Sequence, residues 1–130
     1  MAQSKGLRSE LGRARGLGSA KEGVGHWWHQ RLTAIALIPL SLWFVASLVF
    51  LTDTDHATAV QWLKSPFTLG LMVLFIGALF YHAVLGVQVV IEDYVSRHGL
   101  RLMSIVLVQF IGFALAMAAI VSLLVIAFGG

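Results

Sequence analysis

The chain has 130 residues, of which 58% are hydrophobic and 12% charged, with a formal net charge of +3 and a mean hydropathy of +0.87. A soluble domain carries about twice that charged fraction, so a water-facing globule is excluded. Cysteine is absent, which rules out a thiolate-held iron–sulfur cluster, a thiolate zinc site, a disulfide or a covalently attached c-type haem within this chain.

Residues 1–25 are polar, basic and glycine-rich, with Gly6, Gly12, Gly16, Gly18, Gly23 and Gly25. Glycine costs about 1 kcal/mol against alanine in a helix, so this stretch reads as a flexible tail. It either sets topology or docks on a soluble partner or on anionic headgroups. Next to a membrane span, its basicity is a topology signal rather than a nucleic-acid one. The first apolar run starts too late and runs too long for a cleavable signal. The acids Glu10 and Glu22 make a poor transit peptide.

His26-Trp27-Trp28-His29-Gln30-Arg31 reads as an interfacial cluster, because tryptophan prefers the headgroup level and arginine can snorkel there. Residues 26–130 then read as one three-helix transmembrane domain, with helices over about 31–51, 66–91 and 102–128. The three apolar runs, Ala34–Leu51, Phe67–Ile91 and Leu102–Phe128, carry no charged side chain apart from the titratable His82. Each reaches the ~18–20 residues that cross a hydrocarbon core.

Pro39 removes one backbone bond inside the first helix and predicts a kink there. Residues 52–66 read as a short polar loop, with Trp62 at that membrane surface. Ser65 before Pro66 reads as N-cap and first helical residue of the second span. Residues 92–101 form a second polar loop. Lys5, Arg8, Arg13, Arg15, Lys21, Arg31, Arg97 and Arg101 fall on one side of a three-span chain, and Lys64 alone falls on the other. The positive-inside rule then puts the N-terminus in the cytoplasm and the C-terminus in the periplasm; the chain reads as a bacterial inner-membrane protein, with a processed form in the mitochondrial inner membrane as the alternative.

His82 stands inside the second span, one turn before Gly86 and eleven residues before Asp93. Ionisable residues at that depth face a bundle interior, a cavity or a cofactor. Asp93 lies about 20° from His82 around the helix and about 16 Å along it. Gly86 removes a side chain beside the imidazole and leaves room for a flat group such as haem, for which neutral imidazole is a common axial ligand. The structural alternative is a histidine bonded across a helix interface, with the glycine allowing close packing. Asp93 and Tyr94 sit where the span leaves the bilayer. They are either a solvated acid with an interfacial tyrosine, or a phenol donor to the carbonyl of an amphiphilic quinone, with the acid relaying protons. No second histidine lies at the depth of His82, so a six-coordinate haem would be shared with another polypeptide.

The stretch HAVLGVQVVIEDYV (His82–Val95), followed by GLRLM (Gly99–Met103), resembles the hydrophobic membrane anchor of succinate dehydrogenase. Arg31-Leu32-Thr33-Ala34 is similar to that family's Arg-x-[Ser/Thr]-Ala, and GVGHWWHQR (Gly23–Arg31) is similar to its bacterial and mitochondria-like members. The resemblance covers about residues 23–128. It implies an all-α membrane protein of three transmembrane helices packed with a second, larger cytochrome b anchor subunit.

It further implies that His82 ligates the iron of a b-type haem, with Gly86 as the close-approach position. Arg31 would meet the haem propionates, where a guanidinium makes paired charge-assisted bonds. Tyr94 and Asp93 would belong to the ubiquinone site. Flavin (FAD) and iron–sulfur clusters belong in this reading to the soluble flavoprotein and iron–sulfur subunits, and this chain tethers them and holds no residue that oxidises succinate. A fumarate reductase anchor, or a haem-free scaffold in which His82 relays protons, are the rival readings.

Overall fold

A computed structural model describes residues 21–129, with side chains from Val24 onward. Most of the expected tail, residues 1–20, lies outside the described residues. The described chain is four helices: α1 (Lys21–Leu51), α2 (His56–Lys64), α3 (Pro66–Tyr94) and α4 (His98–Phe128). Three of them, from Val24–Leu51, Pro66–Tyr94 and His98–Phe128, are long and apolar enough to cross a membrane. α3 is the middle helix, packed on α1 along one side and on α4 along the other.

Two differences from the sequence-based expectation concern helix ends. α1 begins at Lys21 rather than near Arg31, through Gly23 and Gly25, so the helix runs about three turns beyond the expected span. The aromatic cluster supports that extension. Trp27 and Trp28 meet edge to face at 5.2 Å, and the Arg31 guanidinium lies 4.4 Å over the Trp27 ring. Such a cation–π contact contributes about 0.5–1 kcal/mol at an exposed site. The expected loop at 92–101 shrinks to Val95–Arg97, because α3 continues to Tyr94 and α4 starts at His98.

The expected 52–66 loop contains α2. Its N-cap is Asp55, whose carboxylate accepts from the Thr58 backbone N–H at 3.0 Å. These bonds from Thr58 hold the Asp55 carboxyl below its ordinary value of 3.8. α2 is fixed by Trp62, which stacks on Trp43 of α1 with centroids 5.8 Å apart, and it also packs against α3 and α4. Pro66 opens α3 at its first turn as expected. The Ser65 side chain makes no capping bond, and its backbone carbonyl instead accepts from Leu69 N–H at 2.9 Å.

Few side chains are fully buried. Leu40, Phe75, Leu85, Leu123 and Ala127 form the core, and most large apolar residues of the spans face outward. Lipid tails are as apolar as leucine, so helices in a bilayer associate through close packing rather than through the hydrophobic effect. Phe44 of α1 stacks on Phe75 of α3 at 4.8 Å, an arrangement worth about 0.5–1.5 kcal/mol beyond its buried area. On the other side, Gly112 of α4 is buried against Val84 of α3, and a Cβ there would collide with Val84 Cγ2.

Candidate functional site

α1 and α3 run antiparallel, and their contact brings His82 to two polar side chains of α1. His82 of α3 meets two residues of α1. Thr33 Oγ1 lies 3.0 Å from His82 Nδ1, and Gln30 Nε2 lies 3.5 Å from His82 Nε2. Gln30 and Thr33 are three residues apart, hence on one helix face. Thr33 O–H also has acceptors in its own helix, His29 O at 2.7 Å and Gln30 O at 3.0 Å. Gly86, one turn from His82, faces the same glutamine: a Cβ built there would lie 3.8 Å from Gln30 Nε2. Gln30 Oε1 is buried with no hydrogen-bond partner. An unpaired acceptor of that kind is costly in an apolar interior.

The remaining expected site residues are not gathered around His82. Arg31 points onto Trp27. Asp93 is exposed near the end of α3, and Tyr94, its last residue, is 84% exposed. The turn after Tyr94 is pinned, however. Val95 N–H donates to Ile91 O at 2.9 Å, and Arg101 Nε–H donates to Val95 O at 2.9 Å. Arg101, read from sequence as a topology signal, thus also fixes where α3 stops. Gln88 donates to Glu92 Oε1 at 3.0 Å, one turn apart on α3.

A separate groove of about 720 Å³ opens between the N-terminal part of α1, α3 and α4. Its polar lining is His26, His29, Tyr81, Gln88 and Gln109, and its walls include Phe80, Val84 and Phe113. His29 meets the Tyr81 ring edge to face at 6.0 Å, and His26 Nε2 is buried with no partner. His82, Gly86, Asp93 and Tyr94 do not line this groove. Among the described residues no group of three or more His, Asp or Glu side chains is placed to hold a metal ion; the role expected of His82 is that of a single axial ligand to a haem iron.

The residues around His82 fit that role. One ring nitrogen is held at hydrogen-bond distance, and the other has only a contact at the limit for a hydrogen bond. A ligating histidine commonly has its second nitrogen bonded to a neighbouring oxygen in just this way. Sequence reasoning placed Thr33 in a motif without a role and gave Gln30 none. Their signal was two polar residues, three apart, at the start of an apolar run.

The sequence matches, over residues 5–127, the family described as succinate dehydrogenase/fumarate reductase transmembrane subunit. It is 37% identical over 118 residues to the succinate dehydrogenase hydrophobic membrane anchor subunit of Rickettsia conorii, covering 90% of this chain and 94% of that one. The corresponding subunit of Rickettsia bellii is 38% identical over 116 residues, covering 89% and 93%. That of Paracoccus denitrificans is 29% identical over 110 residues, covering 85% and 84%. Three membrane-length helices, an imidazole held between two of them and these relatives place the chain in the succinate dehydrogenase hydrophobic membrane anchor family.

Proposed function

We propose that the chain is the anchor subunit of a succinate:ubiquinone oxidoreductase in a bacterial inner membrane, with its N-terminus cytoplasmic and its C-terminus periplasmic. In this reading it packs against a larger cytochrome b anchor subunit and tethers the iron–sulfur and flavoprotein subunits on the cytoplasmic face. The observation that supports it most is the His82 imidazole, bonded to Thr33 at Nδ1 and contacted by Gln30 at 3.5 Å on Nε2.

His82 would hold the iron of a b-type haem shared with the larger anchor. Gly86 would let the ring system approach, and Arg31, which now rests on Trp27, would turn to the propionates. A bound haem supplies a one-electron site inside the membrane. The other residues act on the quinone. Tyr94 O–H donates a hydrogen bond to a quinone carbonyl and orients it, which suits a phenol at the end of a span. Asp93, beside it, passes a proton toward the carbonyl oxygen as the quinone takes two electrons, supplied through the iron–sulfur subunit, and two protons to become the quinol. The Arg101 bond to Val95 O holds the helix end that carries both. Succinate oxidation stays with the flavin of the partner subunit.

The test is purification of the tagged chain from its own membrane in mild detergent. Co-elution of covalent or tightly bound flavin with succinate-dependent ubiquinone reduction is the expected result. Elution without flavin and without that activity contradicts the reading.

A further inference from the structure

The hydrogen bonds around His82 decide which ring nitrogen carries the proton. Thr33 has one O–H proton. Its shortest acceptor is His29 O at 2.7 Å, within its own helix, a common use of a threonine hydroxyl in an apolar helix. With the proton spent there, Thr33 Oγ1 faces His82 Nδ1 at 3.0 Å as an acceptor. Nδ1 must then be the N–H, and Nε2 carries the lone pair. The Gln30 amide agrees, because its Nε2 donor, not its oxygen, is the atom 3.5 Å from His82 Nε2. The opposite tautomer requires Thr33 to leave its shortest acceptor; a turned Gln30 amide would by itself pair the buried Oε1, so the assignment rests on Thr33.

We propose that Thr33 is a positioning residue for the metal ligand: its hydroxyl accepts from His82 Nδ1–H, locks that tautomer and ring orientation, and presents the Nε2 lone pair to iron. The inference rests on the reading of His82 as a haem ligand. It goes beyond that reading by assigning the residue that prepares the ligand. The 3.5 Å contact from Gln30 is the weaker of the two. It is the one that yields when Nε2 takes a metal, whereas the 3.0 Å bond on the far side of the ring persists. An acceptor on Nδ1–H pushes electron density into the imidazole, raises its basicity and favours the oxidised metal.

The experiment uses the whole complex in three variants beside the native protein: Thr33→Val, Thr33→Ser and His82→Ala. Haem content per flavin, the position of the reduced α band and the haem midpoint potential are measured in each. Thr33→Val keeps the side-chain volume and removes the acceptor. Its expected result is an upward shift of potential and about tenfold weaker haem retention, the usual scale for losing a ligand's supporting bond. Thr33→Ser keeps the hydroxyl and loses the methyl, and it returns both readouts toward native.

A purely packing role for Thr33 predicts the reverse order, with valine tolerated and serine worse, and that order overturns the proposal. Native potential and retention in Thr33→Val overturn it too. If Thr33→Val does not assemble, Thr33→Ala is compared with Thr33→Ser by the same readouts, and equal defects in the two overturn it. His82→Ala separates the ligand from its support. Haem retained with an unchanged spectrum there removes the ligand reading and this inference together. Haem lost in His82→Ala but unaffected in Thr33→Val removes this inference alone.

Discussion

Two polar sites lie on α3 about 16 Å apart along its axis, and they are built in opposite ways. His82 is clasped by this chain's own side chains, with Thr33 and Gln30 of α1 on its two nitrogens. Asp93 and Tyr94 are exposed at the end of the same helix, and the chain fixes only the backbone turn behind them. The physical reason is depth. An imidazole inside a span has no water to bond, so its own bundle must satisfy it. A carboxylate and a phenol at a span's end are satisfied by the interface and stay free to meet a partner or a substrate. The polar partners that orient the His82 ring are therefore supplied within the two helices, and under the proposed function the partner anchor completes the haem site. A site that reads a diffusing quinone is presented outward.

The largest effect that tests this contrast is at His82. His82→Ala should abolish b-type haem binding in the complex and leave the α3 end intact, as read by haem content per flavin. Gly112→Ala comes next and asks whether both sites depend on the α3–α4 contact. Its Cβ would meet Val84, and such overpacking costs about 1–3 kcal/mol. The thermal midpoint of the detergent-solubilised complex should fall, and adding Val84→Ala should restore part of it.

Tyr94→Phe should lower succinate-dependent quinone reduction about tenfold, the rate equivalent of one lost hydrogen bond of about 1.4 kcal/mol, while haem content stays native. Equal loss of haem would break the separation of the two sites. Gly86→Ala has the smallest expected effect on the fold. The structure leaves an ordinary 3.8 Å contact to Gln30, and alanine is favoured over glycine inside a helix by about 0.5–1 kcal/mol. A fully assembled Gly86→Ala complex with reduced haem retention would sharpen the role of Gly86 as the approach position.

A pH test touches neither site and serves as a control. Asp55 is held below its ordinary value by its bonds from Thr58. Its capping contribution is therefore fully present above pH 3.8 and is lost as pH falls through the lowered folded value. Amide exchange in the first turn of α2 should rise under that acid condition and stay native in α1 and α3.

The spans were legible because a charge-free run of membrane length, in a chain this apolar, is hard to fold as anything but a span. Pro66 after Ser65 was legible for a similar reason, since proline suits the first turn of a helix and little else nearby. α2 was not read. It is nine residues long, its stability comes from Asp55 and from stacking of Trp62 on Trp43, and a polar stretch between spans reads equally well as a loop. The early start of α1 was hidden by Gly23 and Gly25, poor helix formers that nevertheless lie within α1, next to the Trp27, Trp28 and Arg31 contacts.

At the candidate site, His82 and Gly86 were legible from one helix alone, because their spacing is local. Thr33 and Gln30 belong to the site through a pairing about fifty residues away, and periodicity within a single helix carries no information about register between two. Arg31, expected to meet the haem propionates, lies over Trp27, one turn earlier on its own helix, a contact that no reading of the second span alone would have shown.

The most direct measurement is a dithionite-reduced minus oxidised visible spectrum of the solubilised complex, taken for the native protein, His82→Ala and Tyr94→Phe side by side. The account predicts a b-type α band in the native protein and in Tyr94→Phe, and none in His82→Ala. A band that survives in His82→Ala, or that is missing from the native complex, would contradict it.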